Sequence, residues 1–122
     1  MNIAIPEWRN NVSTVFDFAH WLLVIEADGI NEINRTRIPI NEKSFAELAR
    51  KLVGLNVRIL ICNEISRQLE GIISSHGIKI VSHVKGLVNE VLNDYFTGKL
   101  NNSSLFSQGY SSRSNNMKSN DN

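Results

Sequence analysis

The chain has 122 residues, 42% of them hydrophobic, a composition that suits one ordinary globular core. Lysine and arginine number 13 against 12 aspartates and glutamates, so the net charge is only +1 and the basic surplus that a nucleic-acid backbone requires is missing. No stretch approaches the roughly 20 apolar residues of a membrane span, and no signal peptide opens the chain, which together predict a cytoplasmic protein without a membrane partner.

The first part of the chain predicts three strands. Ile3 to Pro6 is a short apolar strand, and we expect Pro6 to end it because proline cannot donate to a ladder. Trp21 to Glu26 is a second strand, closed by the turn signal Asp28-Gly29. Glu32 to Ile38 carries charge and alternates less cleanly, which indicates an edge strand.

The rest of the chain alternates helices with strands. Apolar residues at helical spacing predict a first helix that begins at an Asn41 N-cap and ends at Gly54. The near-continuous apolar run that follows is typical of a parallel strand covered on both faces. The boundaries expected for the remaining elements are Val57 to Ile61 for this strand, Ser66 to Gly77 for the second helix, Ile78 to Val81 for the last strand and a stop near Gly98 for the third helix.

The resulting order of elements is β-β-β-α-β-α-β-α, which predicts an α/β fold with a mixed five-stranded sheet and helices on both faces. This domain spans residues 1–100. Residues 101–122 are rich in Asn and Ser and show no periodicity, so we expect a flexible carboxyl-terminal tail. The exposed sheet edge leaves both a monomer and a homodimer open.

Three loops are expected to meet at the carboxyl edge of this sheet and to form a crevice for a ligand. They are the first loop, Glu7 to Asp17, then Cys62 to Ser66, and Ser82 to Gly86. Cys62 and His83 each follow a parallel strand, so a thiol and an imidazole are predicted within range of a shared metal. Because Cys62 is the only cysteine, a disulfide and a self-sufficient four-cysteine centre are excluded. The alternative for Cys62 is a small buried core residue.

Groups that attract anions surround the same crevice. The amino ends of the second and third helices offer free N–H groups, and Ser66 is placed to cap the second helix. Arg67, Lys85 and Arg9 add positive charge, a combination that suits an anionic metal–sulfur cluster better than a bare cation. His20, on the approach to the second strand, is a third candidate ligand, although the interpretation favoured here is a packed or half-exposed strand residue. No nucleophile elbow, converging carboxylates or phosphate-binding glycine loop occurs in the sequence, which favours a binding protein over an enzyme.

Four segments of the sequence carry a family resemblance. They are Asn2-Ile-Ala-Ile-Pro6, Val12-Ser13-Thr14-Val15-Phe16-Asp17-Phe18-Ala19, Leu60-Ile-Cys62-Asn-Glu-Ile-Ser66-Arg67-Gln-Leu69 and Gly86 to Leu100. Together they resemble the dinitrogenase iron–molybdenum cofactor biosynthesis family, of the NifX and NifB carboxyl-terminal type, over residues 1 to about 100. The resemblance implies a ribonuclease H-like three-layer fold. It also implies binding or carriage of iron–sulfur or iron–molybdenum cluster precursors, with the cluster donor and acceptor proteins of cofactor assembly as partners.

The first loop also departs from the family pattern. Several cluster-binding members read Glu-His-Phe-Gly where this sequence has Thr14-Val15-Phe16-Asp17, so Val15 stands at the position of their histidine. The expected metal ligands are Cys62 and His83, and the other expected cofactor-binding residues are Ser66, Arg67, Lys85, Ser13 and Asp17. Asp17 is also able to hold the loop by accepting backbone N–H bonds. Two functions stay open, a cluster carrier and a metal-free protein-interaction or regulatory module on the same scaffold.

Overall fold

A computed structural model of the protein describes residues 1–101. The strands are β1 (Asn2–Trp8), β2 (Asn11–Val12), β3 (Trp21–Asp28), β4 (Asn31–Pro39), β5 (Val57–Ile61) and β6 (Lys79–Val81). The helices are α1 (Phe45–Gly54), α2 (Arg67–Ser75) and α3 (Val88–Phe96), with short 3-10 helices at Phe16–Phe18 and Lys99–Asn101. Among these described helices, none combines the length and apolar character needed to cross a membrane. Except for residue 101, the predicted tail at 101–122 lies outside the described residues.

Five of the six described strands form one mixed sheet in the order β4-β3-β1-β5-β6. The first strand, β1, lies in the centre, antiparallel to β3 and parallel to β5, and β6 continues the parallel half. The predicted sheet is therefore confirmed, with one addition. A sixth, two-residue strand, β2, folds back antiparallel on the end of β1. It is too short for a periodic sequence signal.

Helices cover both faces of the sheet, because the central strands alternate apolar side chains between the two faces. In β1, Ile3 and Ile5 belong to a core cluster beneath α3, whereas Ala4 belongs to a second cluster beneath α1 and α2. Leu52 and Leu69 fill that second cluster from the two helices. The result is the three-layer, ribonuclease H-like arrangement that the family resemblance implies.

The expectation that Pro6 ends the first strand is wrong, because β1 continues to Trp8. Pro6 lies opposite Leu22 of β3, and its carbonyl accepts a bond of 2.8 Å from the Ser13 N–H on the other side. In a strand the nitrogen and carbonyl of one residue face the same side, so the Pro6 nitrogen faces away from β3. No ladder hydrogen bond to β3 is lost, and the proline is tolerated inside the strand.

The first helix is capped by Ser44 and not by Asn41 as predicted. The Ser44 hydroxyl accepts from the Glu47 N–H at 3.1 Å, and the Glu47 carboxylate in turn accepts from the Lys43 N–H at 3.0 Å. A serine followed three residues later by glutamate is a capping-box pattern, so the correct signal was present in the sequence. Gly77, at φ 82°, confirms the predicted end of α2.

Candidate functional site

Backbone hydrogen bonds join the three loops that were predicted to meet at the carboxyl edge of the sheet. The first loop bonds to the loop after β5, because the Phe16 N–H donates to the Glu64 carbonyl at 2.8 Å. It also bonds to the loop after β6, because the Val12 N–H donates to the Gly86 carbonyl at 2.9 Å. The predicted convergence of the three loops is confirmed.

A clamped turn opens the first loop. Arg9 and Asn10 both have positive φ angles, 52° and 68°, and they connect β1 to β2 as a two-residue hairpin turn. The Glu7 carboxylate accepts from the Asn10 N–H at 2.8 Å, and the Asn10 carbonyl accepts from the Val88 N–H at 2.8 Å. The turn is therefore held by β1 on one side and by the start of α3 on the other.

The Glu7 carboxylate also forms an ion pair that the sequence did not predict. Its other oxygen lies 2.8 Å from Arg37 Nε of β4, and the Arg37 guanidinium stacks at 3.8 Å on the ring of Trp21. This pairing explains how a carboxylate can be almost fully buried at the base of the loop. The two residues are thirty positions apart in the chain, so no local pattern links them.

Asp17 and Ser66 join the first loop to the start of α2. The Ser66 N–H donates to Asp17 Oδ1 at 2.8 Å, and the Ser66 hydroxyl accepts from the Leu69 N–H at 3.2 Å. The predicted Ser66 cap is confirmed, and Asp17 acts across the loops instead of within its own turn. The Asp17 carboxylate already offsets part of the positive charge at the amino end of α2. The expected attraction of this helix end for an external anion is therefore weaker.

Cys62 lies inside the core beneath α1 and α2 and is 0% exposed. Burial, and then the nearby carboxylates of Glu70, Asp17 and Glu64, raise the pKa of its thiol from 9.0 to about 12. A metal needs the thiolate, and burial with this pKa disfavours it. These observations support the core role that was left open for Cys62 and weigh against ligation, which stays a prediction.

His83 lies in a different environment from Cys62. It has a left-handed backbone, at φ 62°, and its half-exposed imidazole has Nδ1 4.0 Å from Glu64 Oε2. Arg67 and Lys85, the predicted cations, are exposed near the same loops. Within residues 1–101 no three His, Cys, Asp or Glu side chains are grouped to hold a metal ion, so Cys62 and His83 are not part of a formed metal cluster.

A cleft of about 550 Å³ opens along the first loop, away from Cys62 and His83. This first-loop cleft is lined by Glu7, Trp8, Arg9, Asn11, Val12, Ser13, Thr14, Val15, Phe18, Ala19 and His20. Two of its aromatic rings face solvent, Trp8 with 52% and Phe18 with 78% of its surface exposed. The Arg9 guanidinium lies 5.4 Å from the centre of the Trp8 ring, so a cation stands beside an aromatic face at the cleft.

Ser13 and His20 supply the cleft with further polar groups. Ser13 is only 9% exposed, and its hydroxyl has no hydrogen-bond partner among residues 1–101. Of the seven predicted cofactor-binding residues, Ser13 is the one that lines this cleft. His20, interpreted from the sequence as a strand residue, precedes β3 and is exposed along the same cleft. The structure therefore places this third candidate ligand in the first-loop cleft, apart from Cys62 and His83.

Solved structures of similar fold support the architecture. The chain superposes on PH0822 with a TM-score of 0.76 at 22% identity, covering 81% of this chain and 91% of that one. A candidate dinitrogenase from Methanocaldococcus jannaschii gives a TM-score of 0.69 at 22% identity, with 81% and 90% coverage. A candidate NifB protein from Thermotoga gives 0.64 at 19% identity, with 80% and 89% coverage. At these identities the likeness establishes the fold alone.

No curated protein matches this sequence closely enough to support a comparison. The sequence model of the family described as "Dinitrogenase iron-molybdenum cofactor" matches residues 1–98, which include all the described strands and α-helices. That match extends from Met1, just before β1, to Gly98, two residues after the end of α3, and it includes the whole first-loop cleft. The chain therefore belongs to the dinitrogenase iron–molybdenum cofactor family.

Proposed function

We propose that this protein is a non-catalytic carrier in cofactor assembly that holds an anionic metal–sulfur cluster precursor as cargo in the first-loop cleft. One observation carries the proposal. A single open cleft is lined by an exposed guanidinium, an exposed imidazole and a buried hydroxyl that makes no hydrogen bond within residues 1–101, at Arg9, His20 and Ser13. Membership of the family supports the class of cargo.

Each of these groups suits an anionic cluster. The Arg9 cation offsets the negative charge of the cargo, and the His20 imidazole is a ligand type that iron accepts. The Ser13 hydroxyl is a buried donor, and burying a donor without an acceptor costs free energy. A cluster sulfide or an oxygen ligand of the cluster would supply that acceptor. The rings of Trp8 and Phe18 then limit the access of water to the bound cargo.

The remaining predicted residues support the site in different ways. Asp17 and Ser66 fix the first loop against α2, which keeps the cleft preformed. Arg67 and Lys85 are exposed beside the joined loops and contribute long-range attraction for anionic cargo. In this proposal the thiol of Cys62 takes no part, since burial holds it in the protonated state.

A second function is favoured by the aromatic rim of the cleft. Exposed Trp8 and Phe18 beside Arg9 are residue types that dominate the energy of protein–protein interfaces. Without metal cargo, the same cleft would serve a protein-interaction module. Cluster donor and acceptor proteins would also approach a carrier at this rim, so the two functions differ in metal content and not in surface.

Anaerobic reconstitution separates the two functions. The protein is incubated with ferrous iron, sulfide and molybdate, desalted, and analysed for iron, molybdenum and acid-labile sulfide per chain. A carrier retains metal and sulfide, and we expect the Arg9→Ala/His20→Ala variant to retain at most about one tenth of the wild-type metal, because it lacks both the cation and the imidazole of the cleft.

The matched control removes the same residue types elsewhere. Arg50→Ala/His76→Ala takes an exposed arginine from α1 and an exposed histidine from the end of α2. It should retain metal at the wild-type level. Wild-type protein that retains no metal would overturn carriage and favour the interaction module, and equal losses in both double variants would exclude the first-loop cleft as the binding site.

A further inference from the structure

The outer edge of the sheet is the long strand β4, and it is open to pairing. The strand has nine residues, eight of which are exposed, and it is the terminal strand on its side of the sheet described for residues 1–101. We propose that this edge is a homodimer interface, on which a second copy of the chain adds its own β4 in antiparallel orientation. This inference goes beyond the proposed carrier function and does not depend on it.

The direction of the backbone groups in β4 follows from the observed hydrogen bonds. The Ile40 N–H donates to the His20 carbonyl at 2.9 Å, towards β3. Because backbone groups alternate sides along a strand, residues 34, 36 and 38 also face β3. Arg35 and Arg37 therefore point their N–H and C=O groups outward, and no other described strand pairs with them.

The usual protection of an edge strand is weak in β4. Natural edges are guarded by lysines, inward charges, prolines or bulges. β4 has no lysine, Pro39 stands at its last position, and its register shift falls at Ile33, near its start. Both arginines reach back across the sheet, Arg35 to Asn89 at 2.9 Å and Arg37 to Glu7 at 2.8 Å. Their side chains leave the backbone of the edge uncovered.

A two-fold axis through Thr36 pairs the outward-facing residues of the two copies. Arg35 of each copy then lies opposite Arg37 of the other, and their four outward N–H groups donate to four carbonyls. The arginines do not approach as free charges, since Arg35 is held by Glu32 at 2.7 Å and Arg37 by Glu7. Charge is thus neutralised within each copy before the two edges meet.

The same register also covers exposed apolar surface. Ile33, which is 58% exposed, lies at the register shift just beyond the regular pairing, at the end of the interface where Pro39 of the second copy also lies, and this proximity occurs twice because the interface is symmetric. Thr36 comes opposite Thr36, a favourable cross-strand pair. A second copy therefore matches the edge in backbone polarity, charge and apolar contact, which favours it over an unrelated extended peptide.

A matched pair of substitutions tests the role of the edge backbone. Light scattering after size exclusion should give twice the monomer mass for the full chain at high concentration, falling towards one chain on dilution. Arg35→Pro removes an outward N–H without removing a bond to β3, whereas Arg35→Ala removes the same side chain and keeps the N–H. We expect the proline variant to weaken the dimer at least about tenfold more than the alanine variant. One-chain mass at every concentration, or equal weakening by both variants, would overturn the proposal.

Cross-linking tests the register and does not depend on the folding of a proline variant. The axis places the two Thr36 Cα atoms about 4.5 Å apart, within disulfide range, so Thr36→Cys should cross-link on oxidation. In Asn34→Cys the two Cα atoms would lie about 14 Å apart, since they are offset by four residue positions along the paired strands, and no cross-link is expected. The native Cys62 is buried and does not compete. Equal cross-linking of both variants, or of neither, would contradict this interface.

Discussion

Two regions at one edge of the sheet have opposite characters, although the same loops build both. The region around Cys62 is dry, closed and packed beneath α1 and α2. The first-loop cleft is open, with exposed rings, a guanidinium, an imidazole and a hydroxyl that lacks a partner among the described residues. The topology gathers loops at the edge, but the side that each residue faces decides whether it can reach a ligand.

The candidate binding groups therefore lie in the open cleft and not around the thiol. Free thiols are attractive as metal ligands, yet the thiol here lies in the region that solvent cannot enter. The side chains that can bind an anionic cargo, those of Arg9, Ser13 and His20, line the first-loop cleft. The two phenylalanines of the 3-10 helix show the division most simply, because Phe16 is buried and Phe18 faces the cleft.

Replacing the two phenylalanines in turn gives the largest expected difference between the regions. Phe16→Ala should lower the free energy of unfolding by about 3–5 kcal/mol, because it leaves a cavity in the core. Phe18→Ala, two residues away and exposed, should change it by less than about 0.5 kcal/mol. Urea unfolding measures both. Similar losses from both variants would mean that the cleft wall is part of the core.

Removal of the Asp17 carboxylate tests the connection between the regions. Asp17→Ala leaves the Ser66 N–H without its acceptor, which should cost about 1–3 kcal/mol in unfolding free energy. The exposed Asp28 at the end of β3 offers a control, because Asp28→Ala removes a carboxylate that makes no such bond in the described part of the chain. An Asp17 variant as stable as the Asp28 variant would show that the loop is fixed by other contacts.

The thiol of Cys62 predicts a loss of stability at alkaline pH. Its pKa is raised on folding from 9.0 to about 12, so above pH 9 the unfolded chain releases a proton that the native chain keeps. The unfolding free energy should then fall with rising pH, by at most about 1.4 kcal/mol per pH unit. Burial also raises the pKa of Tyr95. The contribution of the thiol is therefore the difference in slope between wild-type protein and Cys62→Ala, and identical slopes would place the thiol in contact with water.

The smallest expected effect on stability is that of Ser13→Ala. The Ser13 hydroxyl is buried and makes no hydrogen bond within residues 1–101, so its removal breaks no bond and should not lower the unfolding free energy. The retained metal after anaerobic reconstitution should nevertheless fall several-fold. A stable variant with wild-type metal content would remove Ser13 from the binding site and leave the cleft with Arg9 and His20.

Much of this fold could be predicted from the sequence because its signals are local. The apolar runs of β3 and β5, the Ser66 cap and the glycine that ends α2 all depend on neighbouring residues. The burial of Cys62 could also be predicted from the sequence. Strand alternation places Cys62 on the same face as Leu60, and both belong to the cluster beneath α1 and α2.

Other features of the site depend on contacts between distant parts of the chain. The pairing of Glu7 with Arg37 joins the two hairpins, and the bond from Ser66 to Asp17 joins two loops. The shape of the first loop depends on β2, which folds back on β1. A strand of two residues is too short to be predicted from its sequence pattern. The sequence offered His20 only as a third ligand for a centre at Cys62 and His83, whereas the structure places it in the first-loop cleft.

The direct test of where cargo is held is the metal content of the Cys62→Ala/His83→Ala variant after anaerobic reconstitution. Because the thiol is buried and the imidazole lies outside the cleft, we predict that this variant retains iron, molybdenum and sulfide at the wild-type level. Circular dichroism before and after reconstitution establishes that the variant is folded. A folded variant without metal would contradict the account and return the binding site to the thiol and imidazole that the sequence first indicated.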